Sequence, residues 1–104
     1  MDVTILQSGV FGLLAKASGR LDLDAAVEYG TTIKDAIYDA EEEIKELILD
    51  FSEITFISSF GLKVVLELYK QMQEQNGVLK IMSPSEQIMN SFKMVGFDKF
   101  LIFV

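Results

Sequence analysis

The spacing of apolar residues changes period several times along the chain, and each change marks a new element. Val3 to Leu6 is a short apolar run closed by the turn residues Gln7-Ser8-Gly9. Val10 to Ala17 is a second run, so the two together predict a β-hairpin, which Ser18-Gly19 interrupts. Asp24 then stands as the N-cap of a first helix running to about Ala40. Its apolar stripe, Ala26, Tyr29, Ile33, Ile37 and Ala40, recurs at intervals of three and four, which is one helical face. Glu28, Thr32, Lys34, Asp35 and Asp39 line the other face. The acidic run Glu41-Glu42-Glu43 comes next, and it reads as a solvated helix exit before it reads as a docking patch.

Ile44 to Asp50 is the third strand. Its core, Leu47-Ile48-Leu49, is continuous rather than alternating, which predicts burial on both faces and parallel pairing. Ile54-Thr55-Phe56-Ile57 returns to the core. From Leu62 to Gln75 the period is helical again, with Val64, Val65, Leu68, Tyr69 and Met72 inward and Lys63, Glu67, Lys70 and Glu74 toward water. Asn76-Gly77 is its C-cap. Val78 to Met82 is a fourth strand. Ser83-Pro84-Ser85-Glu86 predicts a third helix, with Ser83 as N-cap, Pro84 at the first helical position and Glu86 closing a capping box. That helix buries Ile88, Met89, Phe92 and Val95 and stops at Gly96, and Phe100 to Val104 is a terminal strand or extended tail. The scattered Met72, Met82, Met89 and Met94 read as core filler. This order predicts one α/β domain over residues 1–104. It has a mixed four- to five-stranded sheet, a leading antiparallel hairpin, about three helices and right-handed parallel crossovers.

The chemically informative stretch is Ser58-Ser59-Phe60-Gly61-Leu62, where a buried strand gives way to a helix. A helix N-terminus presents unpaired backbone N–H groups and the positive end of the helix dipole, so a serine there can carry an added anion. A serine at such a junction is also an ordinary N-cap.

Composition then removes most other chemistries. The chain of 104 residues has no Cys and no His, so disulfides, thiolates and any His-dependent triad are excluded. Ile57-Ser58-Ser59-Phe60-Gly61 lacks the first glycine of a nucleophile elbow, and there is no phosphate-binding loop or dinucleotide fingerprint. The expectation is a protein that is not an enzyme and needs no cofactor or metal. A net charge of −7 argues against nucleic acid and anionic membranes as partners and suits a basic protein surface. No secretory leader and no membrane-length apolar run are visible, which makes a cytoplasmic location the default.

Four landmarks, in order, resemble the STAS domain, the sulfate-transporter and anti-sigma-antagonist module, and more narrowly the free-standing bacterial anti-sigma factor antagonists. They are Gly19-Arg20-Leu21-Asp22, then Leu47 to Phe51 with Phe56 to Leu62, then Asn76-Gly77 through Ser83-Pro84, then Phe92 to Phe97. In that family the signature loop commonly reads Asp-Ser-Ser/Thr-Gly-Leu, and the residue after the Asp accepts phosphate. By position the resemblance makes Ser59 the acceptor, with Ser58 as the alternative. Ser58 stands where the family has Asp, and Phe60 where it has a second Ser or Thr.

The resemblance implies an antagonist that binds an anti-sigma factor with serine kinase activity, is released on phosphorylation and is restored by a phosphatase, so regulating transcription. It implies that Asp22, Ser58, Phe60 and Gly61 lie at the partner-binding surface, with Asp22 a charged contact and Phe60 an apolar anchor. The chain is then expected to be a monomer or weak homodimer. The alternative is a STAS adaptor or scaffold subunit of another complex, such as a lipid-transport assembly, that works without phosphorylation; Ser58 in place of Asp favours it.

Overall fold

The computed structural model describes all residues, 1–104. Five strands form one sheet in sequential order: β1 (Val3–Gln7), β2 (Gly12–Leu21), β3 (Glu46–Ile57), β4 (Val78–Met82) and β5 (Ile102–Phe103). The first pair is antiparallel and the other three pairs are parallel. Three helices make the crossovers: α1 (Leu23–Asp39), α2 (Ser59–Glu74) and α3 (Glu86–Met94), with a short 3-10 turn at Phe97–Lys99. Every crossover steps in the same direction along the sheet. Right-handed connections that never reverse direction must place all their helices on one face.

That face holds the core. Phe51 of β3 packs edge-on against Tyr29 of α1, with ring centroids 6.4 Å apart, and against Phe92 of α3 at 5.9 Å. Gly30 lets α1 and α2 approach closely, since a Cβ there would lie 2.9 Å from Val64 Cγ1. Lys34 on α1 donates to Glu67 on α2 at 2.9 Å, and this hydrogen bond holds the Glu67 carboxyl below the usual carboxylate range.

The predicted hairpin, parallel crossovers and three helices are present. Several details differ. Leu47-Ile48-Leu49 is not buried on both sides: Leu47 and Leu49 enter the core, while Ile48 is half-buried on the sheet face that no helix covers. Ser18-Gly19 does not end β2, which continues to Leu21. The partner strand absorbs the irregularity. Gly12 pairs with Glu46 and Leu21 with Ile57, so β3 carries two more residues than β2 across the same ladder. The surplus appears as two register shifts, and each bulge reverses the direction in which the next side chains of β3 point. That is why Phe51, Ile54 and Ile57 are all buried at a spacing of three, which strict alternation forbids.

The helix starts also move. Asp22, not Asp24, caps α1, its carboxylate accepting from Ala25 N–H at 3.0 Å. Ser85, not Ser83, caps α3 and accepts from Ile88 N–H at 3.2 Å. Ser83 instead has φ of 53° and donates its N–H to Val104 O at 3.0 Å, a role in sheet closure that takes it out of the helix. Val95 and Met94 lie on the outer side of the last helical turn and are exposed, so neither is core.

One core group is polar and unsatisfied. Tyr29 is 1% exposed and its hydroxyl has no hydrogen-bond partner. Burial, with a smaller contribution from the Asp50 carboxylate, pushes this phenol well above the ordinary tyrosine range. The folded state therefore keeps the proton when the unfolded chain, with an ordinary pKa of about 10, has lost it. The contribution of Tyr29 to stability should be flat below that value and fall as pH rises beyond it. Tyr29→Phe should remove that share of the alkaline slope and raise stability by about 1 kcal/mol, because it deletes a buried hydroxyl that nothing pairs. Urea unfolding of both proteins between pH 7 and 11 checks this; a Phe variant that is destabilised at pH 7 contradicts it.

Candidate functional site

The carboxyl ends of β2 and β3 finish side by side, since Leu21 and Ile57 are register partners. Each strand is followed at once by a helix cap, Asp22 for α1 and Ser58 for α2. Two helix N-termini therefore open next to each other at the carboxyl end of these two adjacent strands. The link between them is specific. Leu21 O accepts both the Ser58 N–H and the Ser58 hydroxyl, each at 2.9 Å.

The two serines consequently do different work. Ser58 is half-buried, and its Oγ also accepts from Gly61 N–H at 3.1 Å, so it is held at both ends of its hydrogen-bonding capacity. Ser59 is the first residue of α2, is exposed, and makes no hydrogen bond through its hydroxyl to any protein group. Of the four N–H groups that a helix start leaves orphaned, that of Ser58 goes to Leu21 O and that of Gly61 to the Ser58 hydroxyl. Those of Ser59 and Phe60 remain free for an incoming acceptor.

Phe60 is half-buried. One side packs on the core, and Lys63 Nζ sits 5.5 Å from its ring centroid on the other. Lys63 is also four residues beyond Ser59, the spacing at which an acid placed first and a base placed second attract on a helix. Asp22 is exposed, and its carboxylate serves as a cap. Gly61 departs from expectation: it is buried, not a surface contact. A Cβ there would lie 2.8 Å from Ile57 Cγ1 and 3.1 Å from Leu21 O, so glycine is what lets α2 start tight against the ends of β2 and β3.

Two cations stand near the site. Lys63 is one, and its helical spacing from Ser59 is already visible in the sequence. The other is Arg20, whose guanidinium lies 4.1 Å from the Phe56 ring centroid. Arg20 and Phe56 are register partners across the second bulge, so only knowledge of that bulge would pair them. No three acidic side chains converge as a metal site, and no helix is long and apolar enough to cross a membrane.

A model of the STAS domain family matches residues 7–104. The chain belongs to the STAS domain family. Its fold recurs in solved structures of low sequence identity. The phosphorylated form of the Bacillus cell fate determinant SpoIIAA is 18% identical with a TM-score of 0.76, over 99% of this chain and 91% of that one. An anti-sigma factor antagonist from Mycobacterium paratuberculosis is 20% identical with a TM-score of 0.80, over 98% and 85%. A Thermotoga maritima chain is 16% identical with a TM-score of 0.87, over 97% and 84%. At these identities the likeness speaks for the STAS fold alone.

The contrast between the serines can be measured without a partner. Ser58→Ala should cost about 1 kcal/mol of stability, the usual value of an N-cap. Ser59→Ala should change it by less than about 0.5 kcal/mol, as for an exposed position with no partner. Chemical denaturation of the two variants gives both numbers, and equal losses would mean that the roles are not divided in this way.

Proposed function

We propose that this STAS domain is an anti-sigma factor antagonist that binds an anti-sigma factor with serine kinase activity and is released by phosphorylation of Ser59. The observation that carries the proposal is the exposed, unengaged Ser59 hydroxyl beside a Ser58 hydroxyl held by Leu21 and Gly61. Membership of the family and the shared fold, solved in one relative in a phosphorylated form, support the reading.

In this mechanism Ser59 Oγ attacks the γ-phosphorus of ATP, ADP leaves, and the hydroxyl proton is lost. The product carries roughly −1.5 to −2 charges at neutral pH. The fold accommodates them locally, through the free N–H groups of Ser59 and Phe60, the positive end of α2 and Lys63 one turn on. The interface does not. A dianion there must be stripped of water and set against the partner, next to the existing charge of Asp22. Affinity falls with no need for refolding. A phosphatase that hydrolyses the ester restores binding.

The second reading, a phosphorylation-independent STAS adaptor, is favoured by one feature. The family's acidic residue before the acceptor is here Ser58, whose side chain is engaged in capping. Incubation with the cognate kinase and ATP separates the readings. The switch predicts an intact-mass gain of one phosphate that peptide mapping assigns to Ser59, and no gain in Ser59→Ala. Partner capture should persist for Ser59→Ala and weaken by about tenfold or more for Ser59→Asp, since an unpaired interfacial charge costs a few kcal/mol. An adaptor gains no phosphate, and both variants bind alike.

A further inference from the structure

At the end of the sheet remote from Ser59 lies a cleft of about 340 Å³. It opens between the β1–β2 hairpin, the last turns of α1 and the connection into β3. Ile5, Leu13, Ala36 and Ile44 make its apolar floor. Asp39, Glu41 and Glu42 stand on its rim. The volume is at the low end for a ligand site and matches one bulky side chain better than a cofactor.

The rim is negative for more than one reason. Asp39, Glu41 and Glu42 are exposed, and none takes part in the ion pairs of the structure. The nearby Lys45 is held elsewhere, by Glu43 and by Gln75 O. The last turn of α1 contains no basic residue, so its orphaned carbonyls and the negative end of its dipole also face this opening uncompensated. Such a rim repels phosphates and anionic headgroups and attracts Lys and Arg.

We propose that this cleft is a second docking site, one that takes a basic peptide segment carrying a single bulky apolar residue. The apolar side chain enters the floor, and flanking Lys or Arg residues pair with Asp39, Glu41 and Glu42 and with the carbonyls ending α1. The site stands apart from the phosphorylation surface. Gly12 pairs with Glu46 at one end of the ladder and Leu21 with Ile57 at the other, which over a strand of this length is about 30 Å. Binding here is therefore independent of the charge on Ser59, and the inference goes beyond the proposed switch.

The test is a titration of the full isotope-labelled chain with the end-blocked peptide Lys-Arg-Phe-Arg-Lys, monitored by amide chemical shifts. The proposal expects saturable shifts centred on Leu13, Ala40 and Ile44. Replacing the peptide's Phe by Ala should weaken binding about tenfold or more, from the lost apolar burial. Glu41→Lys combined with Glu42→Lys should weaken it about fivefold or more at low salt, where exposed charges act most strongly. Ala36→Leu, which fills the floor, should abolish it, and Ser59→Asp should leave it unchanged. The proposal is overturned by no saturable shift at millimolar peptide, by shifts centred on the α2 N-terminus, or by indifference to both the Phe and the charge reversal.

Discussion

The carbonyl oxygen of Leu21 accepts two hydrogen bonds from one residue, the N–H and the hydroxyl of Ser58, both at 2.9 Å. This is the contact on which the site depends. It ties the end of β2 to the end of β3, although β3 arrives with two extra residues that the bulges must absorb. With the two strand ends fixed in line, Asp22 and Ser58 become caps at equivalent places, and α1 and α2 begin next to one another. The absence of a Cβ at Gly61 is the second half of the same constraint. The first turn of α2 can sit against Leu21 O and Ile57 only because nothing projects from that position.

A rigid junction of this kind separates structural from chemical duty between adjacent identical residues. The Ser58 hydroxyl both accepts and donates, which leaves it little freedom to act as a nucleophile. Ser59 lies one step further round the helix, where the side chain clears the sheet edge and meets water. Its hydroxyl is bound to nothing, so modifying it disrupts no native hydrogen bond. The same first turn retains two unpaired N–H donors, and these lie where an anion attached to Ser59 would benefit from them.

Much of this is legible in the sequence. The 3.6-residue stripes of α1 and α2 locate both helices, and the polar break after Ile57 locates the serine pair. The features that escape it are set by pairing between distant segments. Nothing local in Ser18-Gly19 says whether a strand stops there or continues opposite a bulged partner; β3 decides it. Ser83-Pro84-Ser85-Glu86 satisfies two helix starts, and the winner is chosen by Val104, which takes the Ser83 N–H into the sheet edge. The apolar run Leu47-Ile48-Leu49 predicts two covered faces because parallel sheets usually have them. Here the sequential strand order puts every helix on one side, so Ile48 is left half-buried. The resemblance alone places Gly61 at the partner-binding surface, whereas in the structure it is buried and serves close packing.

The departure from the family's Asp at position 58 has an electrostatic consequence that bears on the proposed switch. An aspartate and a serine cap a helix equally well, so the fold loses nothing by the exchange. They differ in what they leave for a neighbour. A carboxylate at 58 would already occupy the positive mouth of α2 and would repel a phosphate one residue away. A neutral hydroxyl at 58 satisfies Gly61 N–H and leaves the helix dipole, the two free N–H groups and Lys63 to the incoming charge alone. The phosphorylated state of this chain would then be the less strained one, while its approach to a kinase would lack one acidic contact. Asp22, at the neighbouring helix mouth, is the carboxylate that remains near enough to supply such a contact. Under the proposed switch, then, the fixed negative charge belongs to Asp22 at the end of β2, and the switchable charge would belong to Ser59 at the start of α2.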